Sequence, residues 1–306
     1  VTLYDNLHNS GRDVVDRLQT LSKNPISFVE GDIRDEALLL QSLKSSKADV
    51  VLHCAGLKSI SASIAEPDLY YSVNVGGLKS LTQAMSQSGV KKIIFSGSAN
   101  VYGHPSILPV TEEARTDPQS PYGKTKLESE HILKTLTEQD SQWSAVVLRY
   151  FNPVGAHMSG KIGEFPLNRP NNLVPIITQT AVGKNTLTVF GNDYDTRDGY
   201  CIRDYIHVSD VAEAHRISLV KDFYDNFTSI NIGTGKGHSV LELITIFEKI
   251  SGEKLNYEIV DRRPGDVSEI WSDISYSEEI IDWKANRTIE ESVYSHLMYS
   301  KNLKNC

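Results

Sequence analysis

The chain has 306 residues, 40% hydrophobic and 23% charged, a globular composition that allows one large domain or two modest ones around a substantial core. Its 31 basic and 39 acidic residues leave a formal charge of −8 with no basic run, which speaks against a nucleic acid or an anionic membrane as partner and reads as a solvated surface. Cys54, Cys201 and Cys306 are widely spaced and form neither a disulfide framework nor a zinc pattern, which fits a reducing, cytoplasmic compartment. No apolar run approaches the roughly 18 residues of a membrane span, and no signal peptide is visible.

Val1–Tyr4 is strand-like and ends at Asp5. Because Val1 already lies inside this apolar run, the N-terminus is read as missing. Val14, Val15, Leu18 and Leu21 recur at helical spacing, Ile26–Val29 is a second short strand ending at Gly31-Asp32, and Leu38, Leu39, Leu40 and Leu43 suggest another helix. Val50, Val51 and Leu52 form a strand that runs into Cys54-Ala55-Gly56, and one long helix is expected from about Pro67 to Ser88. Ile93, Ile94 and Phe95 make the next strand, Leu127–Leu136 lies in a helix, and Ala145–Leu148 in a strand. This rhythm predicts a doubly wound parallel α/β sheet. Ligands of such sheets bind at the carboxyl ends of the strands, where the polar clusters Asp5-Asn6, Gly31-Asp32, Ala55-Gly56, Ser96–Ser98 and Arg149–Asn152 fall. After Asn152 the rhythm loosens, with Gly, Pro and Asn frequent from Pro153 to Pro175 and helices expected at Val208–Leu219 and Val240–Ile250. Residues 1–152 are therefore expected to form a dinucleotide-binding domain. Residues 153–306 are expected to form a smaller α/β lobe, with some segments returning to the first domain.

An acidic residue at the end of the second strand of a dinucleotide fold hydrogen-bonds the adenosine ribose, roughly 20 residues after a glycine fingerprint. Asp5 suits that role, with the fingerprint and the first strand lying before Val1; alternatively Asp5 starts a turn before Asn6. Tyr122-Gly123-Lys124-Thr125-Lys126 is the strongest signal. Tyr122 and Lys126 share a helix face, and a nearby ammonium together with a nicotinamide cation would stabilise a phenolate that otherwise forms only near pH 10. Upstream, the strand ending Phe95-Ser96-Gly97-Ser98 offers Ser98 as a partner hydroxyl, completing a Ser98–Tyr122–Lys126 triad for hydride chemistry. The simpler alternatives are a strand terminator at Ser98 and a surface Tyr–Lys pair.

Eleven segments, in order, carry a resemblance: YDNLHNS (4–10), VEGDIRD (29–35), HCAGLKS (53–59), FSGSANVYG (95–103), PQSPYGKTK (118–126), LRYFNPVGAH (148–157), PNNLVP (170–175), VFGNDYDTRDG (189–199), IRDYIHVSDVA (202–212), NIGTGKGHSVLE (231–242) and RRPGD (262–266). Over essentially its whole length the sequence resembles the UDP-glucose 4-epimerase family of extended short-chain dehydrogenases, N-terminally truncated. The resemblance implies NAD as cofactor, with Asp5, Asn6, Asn9 and Ser10 on its adenosine half and Asp32 and Ile33 flanking the adenine. Ala55, Gly56 and Lys58 would line the cofactor path, and Phe151 and Asn152 would stand where nicotinamide and sugar meet. Asn172, Thr188, Val189 and Phe190 would contact the uridine diphosphate and uracil. Arg203 and Arg263 would grip the diphosphate, with Asp266 on the nucleotide ribose. Guanidinium groups match phosphate oxygens bidentately, although either arginine alone reads equally as a surface ion pair. His53 and His207 are expected to be packed, not catalytic.

The implied reaction interconverts UDP-galactose and UDP-glucose, in galactose metabolism or in supplying polysaccharide synthesis. Tyr122 takes the proton of the 4-hydroxyl while hydride leaves carbon 4 for NAD, the 4-keto sugar turns over, and hydride returns to its other face. Ser98 assists, and Lys126 binds the ribose and depresses the tyrosine pKa. By the same resemblance Ile270 occupies the position that gates room for an N-acetyl group, so UDP-N-acetylhexosamines stay open as substrates. A homodimer is the family's expectation. A 4,6-dehydratase would need acidic residues beside the serine, where Ala99-Asn100 stand. A net reductase or dehydrogenase would change its cofactor stoichiometrically. A catalytically silent fragment is the remaining rival.

Overall fold

Short strands and amphipathic helices alternate from the first residues: β1 (Thr2–Asp5), α1 (Asp13–Leu21), β2 (Ser27–Glu30), α2 (Glu36–Ser46), β3 (Val51–His53), α3 (Ile60–Ala65), α4 (Pro67–Tyr70), α5 (Gly77–Ser88), β4 (Lys92–Ser98), α6 (Pro121–Gln139) and β5 (Ser144–Tyr150). There follow β6 (Asn152–Val154), α7 (Leu173–Gly183), β7 (Leu187–Phe190), β8 (Ile202–His207), α8 (Val208–Val220), β9 (Phe227–Ile232) and β10 (Gly237–Ser239). The chain closes with α9 (Val240–Ser251), β11 (Tyr257–Val260), β12 (Glu269–Ile270), α10 (Ser275–Ile281) and α11 (Ile289–Lys304). The structure, a computed structural model, describes residues 1–164, 172–183, 185–223, 225–263 and 265–304. Cys306, Pro170 and Asn171 of the PNNLVP motif, and Pro264 of RRPGD lie outside the described residues.

Two units divide the chain: Val1–Gly103 with Arg115–Arg149 and His215–Ile230, and His104–Ala114 with Tyr150–Ala214 and Asn231–Cys306. In the first, β3, β4, β5 and β9 form a four-stranded sheet and β1 and β2 a parallel pair. The strands β3 and β4 run parallel, with Val51 opposite Ile93 and His53 opposite Phe95. The core of this unit joins Leu39 and Leu43 of α2, Leu78, Leu81 and Met85 of α5, Ile93 and Phe95 of β4, Leu133 of α6 and Val147 of β5. Each such side chain, withdrawn from water, contributes about 1.5–3 kcal/mol. The parallel α/β pattern predicted from the sequence is present here, and three of its helices start at a capping side chain. Asp35 accepts from Leu38 N at α2, Ser59 from Ala62 N at α3, and Ser120 from Gly123 N at α6.

The single helix expected from Pro67 to Ser88 is instead α4 and α5 joined through a π-helical turn, Tyr71–Gly76. One extra residue per turn does not disturb the apolar pattern enough to be seen in the sequence, yet it re-aims the side chains in it. Asn74 sits in this turn and is buried.

In the second unit β8 is flanked by β10 and β12 and also pairs with β6, while β7 and β11 form a parallel pair. Its core brings together Val174 and Ile177 of α7, Leu187 and Val189 of β7, Tyr205 of β8, Leu243, Ile244 and Phe247 of α9 and Val293 and Leu297 of α11. The helix α9 begins with a reciprocal capping box between Ser239 and Glu242 and ends at Gly252 with φ 75°, a conformation that favours glycine.

Candidate active site

The start of α6 fixes the central triad. The Ser120 cap and Pro121 in the first turn set Tyr122 and Lys126 one turn apart, and both are buried, at 8% and 7% exposure. Ser98 closes β4. Its Oγ accepts hydrogen bonds from Asn100 N at 3.2 Å and Asn100 Nδ2 at 3.0 Å, and it stands near enough to the Tyr122 hydroxyl to pull that phenol's pKa down. A methyl group on Gly123 would stand 2.8 Å from the Asn100 carbonyl oxygen, so the missing side chain is what lets the turn after β4 approach α6. The structure thus brings Ser98, Tyr122 and Lys126 together.

Lys126 reaches back to β4. Its Nζ donates to the Ser96 carbonyl at 2.8 Å and lies 4.8 Å from the Phe95 ring centroid but 5.9 Å from that of Tyr122. Burial raises the Tyr122 pKa above its ordinary value, against the pull of the Ser98 hydrogen bond and with a further push from Tyr70. It is Lys126 that shifts down: burial brings its pKa from 10.5 to about 8, against the countervailing charges of Cys54 and Glu130.

Two supports escaped the sequence reading. Glu130, a turn beyond Lys126, forms an ion pair with Arg149 at 2.7 Å, with side chains 3% and 7% exposed, and Arg149 Nη1 also donates to the Tyr102 hydroxyl at 2.9 Å. The i, i+4 spacing of Lys126 and Glu130 was the available signal. Asn74 accepts from Leu57 N at 2.8 Å and donates to Leu57 O and Thr125 Oγ1, each at 3.0 Å. It ties the loop after β3 to α6. No sequence signal pointed to it, because the π-helical turn that aims it was not predicted.

The residues expected to meet a dinucleotide lie at carboxyl ends of strands. Asp5 ends β1, exposed, and its Oδ1 accepts from Leu7 N at 2.7 Å. Asn6 Nδ2 donates to Asp32 Oδ2 at 3.2 Å, and Asn9 and Ser10 lie in the loop before α1. Asp32 follows β2 and forms two hydrogen bonds of 2.8 Å with Arg34, which holds its carboxyl well below the usual carboxylate range. Ile33 beside it is buried. Ala55 and Gly56 are half-buried after β3, Gly56 with φ 149°, and Lys58 is exposed. A methyl group on Gly56 would come within 3.0 Å of the Asn74 amide oxygen. Carboxylates for ribose hydroxyls, a side-chain-free turn for close approach and a buried ammonium form a donor set that fits a dinucleotide.

The second unit gathers most of the predicted nucleotide contacts. Phe190, 40% exposed at the end of β7, carries the Arg263 guanidinium 5.3 Å above its ring centroid. Asp266 draws in two arginines, Arg263 at 2.9 Å and Arg203 at 3.9 Å. Arg203 is also held by the Ile202 carbonyl, at 2.9 Å. Thr188 is exposed, Val189 is buried, and Ile270 lies buried in β12 opposite Arg203. Asn152 pairs with Tyr205 across β6 and β8, and Phe151, buried, donates its N–H to Ile232 O at 3.2 Å. Asn172 is not seen with this group; its amide donates to both Glu164 carboxylate oxygens, at 2.9 and 2.8 Å. Asp204, missed in the sequence, accepts from Thr234, Gly235 and Ser272 and ties three distant segments beside Arg203. His53 and His207 are buried, and burial, then the charge of Lys126, pushes His53 down to about 3.

Residues 2–233 match the NAD dependent epimerase/dehydratase family. The chain belongs to that family, among its UDP-glucose 4-epimerases. It is 44% identical over 293 residues to the UDP-glucose 4-epimerase of Bacillus subtilis (strain 168), covering 95% of this chain and 86% of the relative. The UDP-glucose 4-epimerase of Bifidobacterium longum, solved in complex with NAD+ and UDP, superposes with a TM-score of 0.96 at 42% identity, over all of this chain and 92% of the other. That of Stenotrophomonas maltophila, solved with NAD and formylated UDP-arabinopyranose, gives 0.96 at 40% identity, over all of this chain and 91% of the other. An epimerase of this family is NAD dependent.

Proposed function

We propose that this chain is an NAD-dependent UDP-glucose 4-epimerase that interconverts UDP-galactose and UDP-glucose at carbon 4 of the hexose. The observation that carries the reading is the buried Ser98–Tyr122–Lys126 group at the carboxyl end of β4, in a chain 44% identical to such an enzyme. NAD, when bound, supplies the acceptor and then the donor of the hydrogen on carbon 4. The protein's own residues handle the proton and the positioning. Tyr122 takes the proton of the 4-hydroxyl and later returns it. To take that proton Tyr122 acts as a phenolate, which the Lys126 ammonium and the nicotinamide cation of bound NAD would favour against the burial that disfavours it, with Ser98 assisting. Lys126, charged below about pH 8, supplies the positive field and, through Ser96, a fixed position.

Asp5, Asn6, Asn9, Ser10, Asp32 and Ile33 hold the adenosine half of the cofactor in this reading, and Ala55, Gly56, Lys58 and Phe151 the path toward the nicotinamide. Thr188, Val189, Phe190, Arg203, Arg263 and Asp266 hold the uridine diphosphate. The convergence of Arg203 and Arg263 on Asp266 supports this, because two guanidinium groups beside one another suit two phosphates. Asn172 would have to leave Glu164 to join them. Ile270 and Asn152 meet the sugar, and a buried isoleucine leaves room that an aromatic residue would fill, so N-acetylated UDP-hexoses are candidate second substrates. The two arms of the reading correspond to a cofactor domain of residues 1–152 and a UDP-sugar lobe of residues 153–306. The enzyme works in the cytoplasm as a homodimer in this account. Among the described residues no helix is long and apolar enough to cross a membrane, and exposed Ile64 and Leu69 offer apolar surface to a second copy.

The test is incubation with UDP-galactose and NAD, resolving the sugar nucleotides by chromatography and following absorbance at the NADH band. UDP-glucose without net NADH supports the epimerase; stoichiometric NADH would make it a dehydrogenase.

A further inference from the structure

A wholly buried carboxylate is costly unless hydrogen bonds surround it. Asp204 of β8 is 0% exposed, and the second unit surrounds it with donors. Thr234 N and Thr234 Oγ1 donate to Oδ1 at 2.9 and 2.6 Å. Gly235 N, Ser272 N and Ser272 Oγ donate to Oδ2 at 3.1, 3.2 and 2.6 Å. A methyl group on Gly233 would stand 2.3 Å from Ser272 Oγ and 2.5 Å from Asp204 Oδ2, so the turn closes on the carboxylate only because residue 233 has no side chain. The residue before Asp204 is Arg203, which pairs in parallel with Ile270 of β12. That strand has only two residues, Glu269 and Ile270, too few for its own ladder to fix it. Ser272, two residues past Ile270, supplies the anchor to Asp204. Val110 adds a second tie, its N–H donating to Trp271 O at 2.9 Å and its carbonyl accepting from Asp273 N at 2.8 Å.

We propose that Asp204 is a positioning residue that, through Ser272, holds Ile270 against Arg203 and so sets how large a sugar substituent the site admits. The inference rests on the reading of Ile270 as a sugar contact and of Arg203 as a diphosphate contact. Arg203 has holds of its own outside this clamp, the Ile202 carbonyl at 2.9 Å and the Asp266 carboxylate at 3.9 Å. Loosening the clamp therefore frees Ile270 more than it frees the guanidinium. The expected signature is a wider sugar range at nearly constant affinity for the nucleotide. A residue that served stability alone would lower turnover of every sugar by the same factor.

The test measures kcat/KM for UDP-galactose and UDP-N-acetylgalactosamine in the presence of NAD, and the affinity for UDP by calorimetry. Asp204→Ala removes the whole clamp, but it strands buried donors and can fail to fold. Ser272→Ala removes only the 2.6 Å hydroxyl bond, while the Ser272 backbone bond and the Val110 ties remain, so its thermal unfolding should stay cooperative. In Ser272→Ala the kcat/KM ratio of the N-acetylated to the plain sugar should rise about threefold or more, a fraction of what a whole methylene gives a pocket, with UDP affinity within about twofold. A folded Asp204→Ala should shift the ratio at least as far. In an Ile270→Ala background Ser272→Ala should no longer move the ratio, because the side chain it frees is gone. An unchanged ratio in folded Ser272→Ala, a smaller shift in folded Asp204→Ala, or a shift that survives in the Ile270→Ala background overturns the role. If the wild type binds UDP yet converts neither sugar, the epimerase reading alone fails, and the same shift is then sought in the ratio of calorimetric dissociation constants for the two UDP-sugars. A wild type with no affinity for UDP overturns the nucleotide reading and the positioning role together.

Discussion

Lys126 carries a charge where a charge is costly, and that cost can be read as a pH dependence. Its pKa falls from 10.5 to about 8 on folding, chiefly through burial. One unit corresponds to about 1.4 kcal/mol, so holding the ammonium in place costs about 3 kcal/mol at pH 7. Between pH 8 and 10.5 the unfolded chain binds more protons at this residue than the folded one, so this part of the stability rises with pH. Going from pH 7 to pH 10 returns about 2 kcal/mol. Lys126→Met keeps the length of the side chain and removes the titration. Urea unfolding of both proteins at pH 7, 8, 9 and 10, followed by circular dichroism, gives the difference directly, and other alkaline titrations cancel between them. The wild type should gain about 2 kcal/mol on the variant over that range, and the variant should have lost epimerase activity throughout. A difference that is flat with pH, or that falls, would refute the account of a lysine held charged against burial.

Three further outcomes follow from the geometry. Glu130→Gln leaves the Arg149 guanidinium buried without its carboxylate and should cost about 3–5 kcal/mol in urea unfolding, because both side chains are almost wholly withdrawn from water. Arg263→Ala removes one of two guanidinium groups beside Asp266; loss of a single charge-assisted contact of about 1.5 kcal/mol should raise KM for UDP-galactose about tenfold and leave kcat within about twofold. A large fall in kcat at unchanged KM would place Arg263 elsewhere in the reaction. Ile270→Tyr, which fills the buried position opposite Arg203, should cut turnover of UDP-N-acetylgalactosamine about tenfold or more relative to UDP-galactose, measured side by side; equal handling of both sugars in wild type and variant would remove Ile270 from the substrate site.

The alternation of β1 to β5 with their helices was legible because the strands are short, apolar and bounded by Asp5, Gly31-Asp32 and Gly56. Tyr122 and Lys126 were legible because four residues make one helical turn. What the spacing could not reveal was where the ammonium goes. It goes to the Ser96 carbonyl at 2.8 Å, 5.9 Å from the Tyr122 ring centroid. Asn74 stayed hidden for a different reason: its direction depends on a π-helical turn that leaves the apolar pattern of 67–88 intact. Asp204 collects donors from residues 30 and 68 positions away, a convergence that exists only after folding. Arg203 and Arg263 were named from their motifs, but their meeting at Asp266 had to be observed.

The central claim is that the hydrogen removed from carbon 4 comes back to carbon 4 of the same sugar. UDP-galactose deuterated at that carbon, converted by the enzyme with NAD in ordinary water and analysed by mass spectrometry and NMR, tests it. The account predicts UDP-glucose that keeps its deuterium at carbon 4, with no net NADH. UDP-glucose that has exchanged the label for solvent hydrogen, or label that accumulates in NADH, would contradict it.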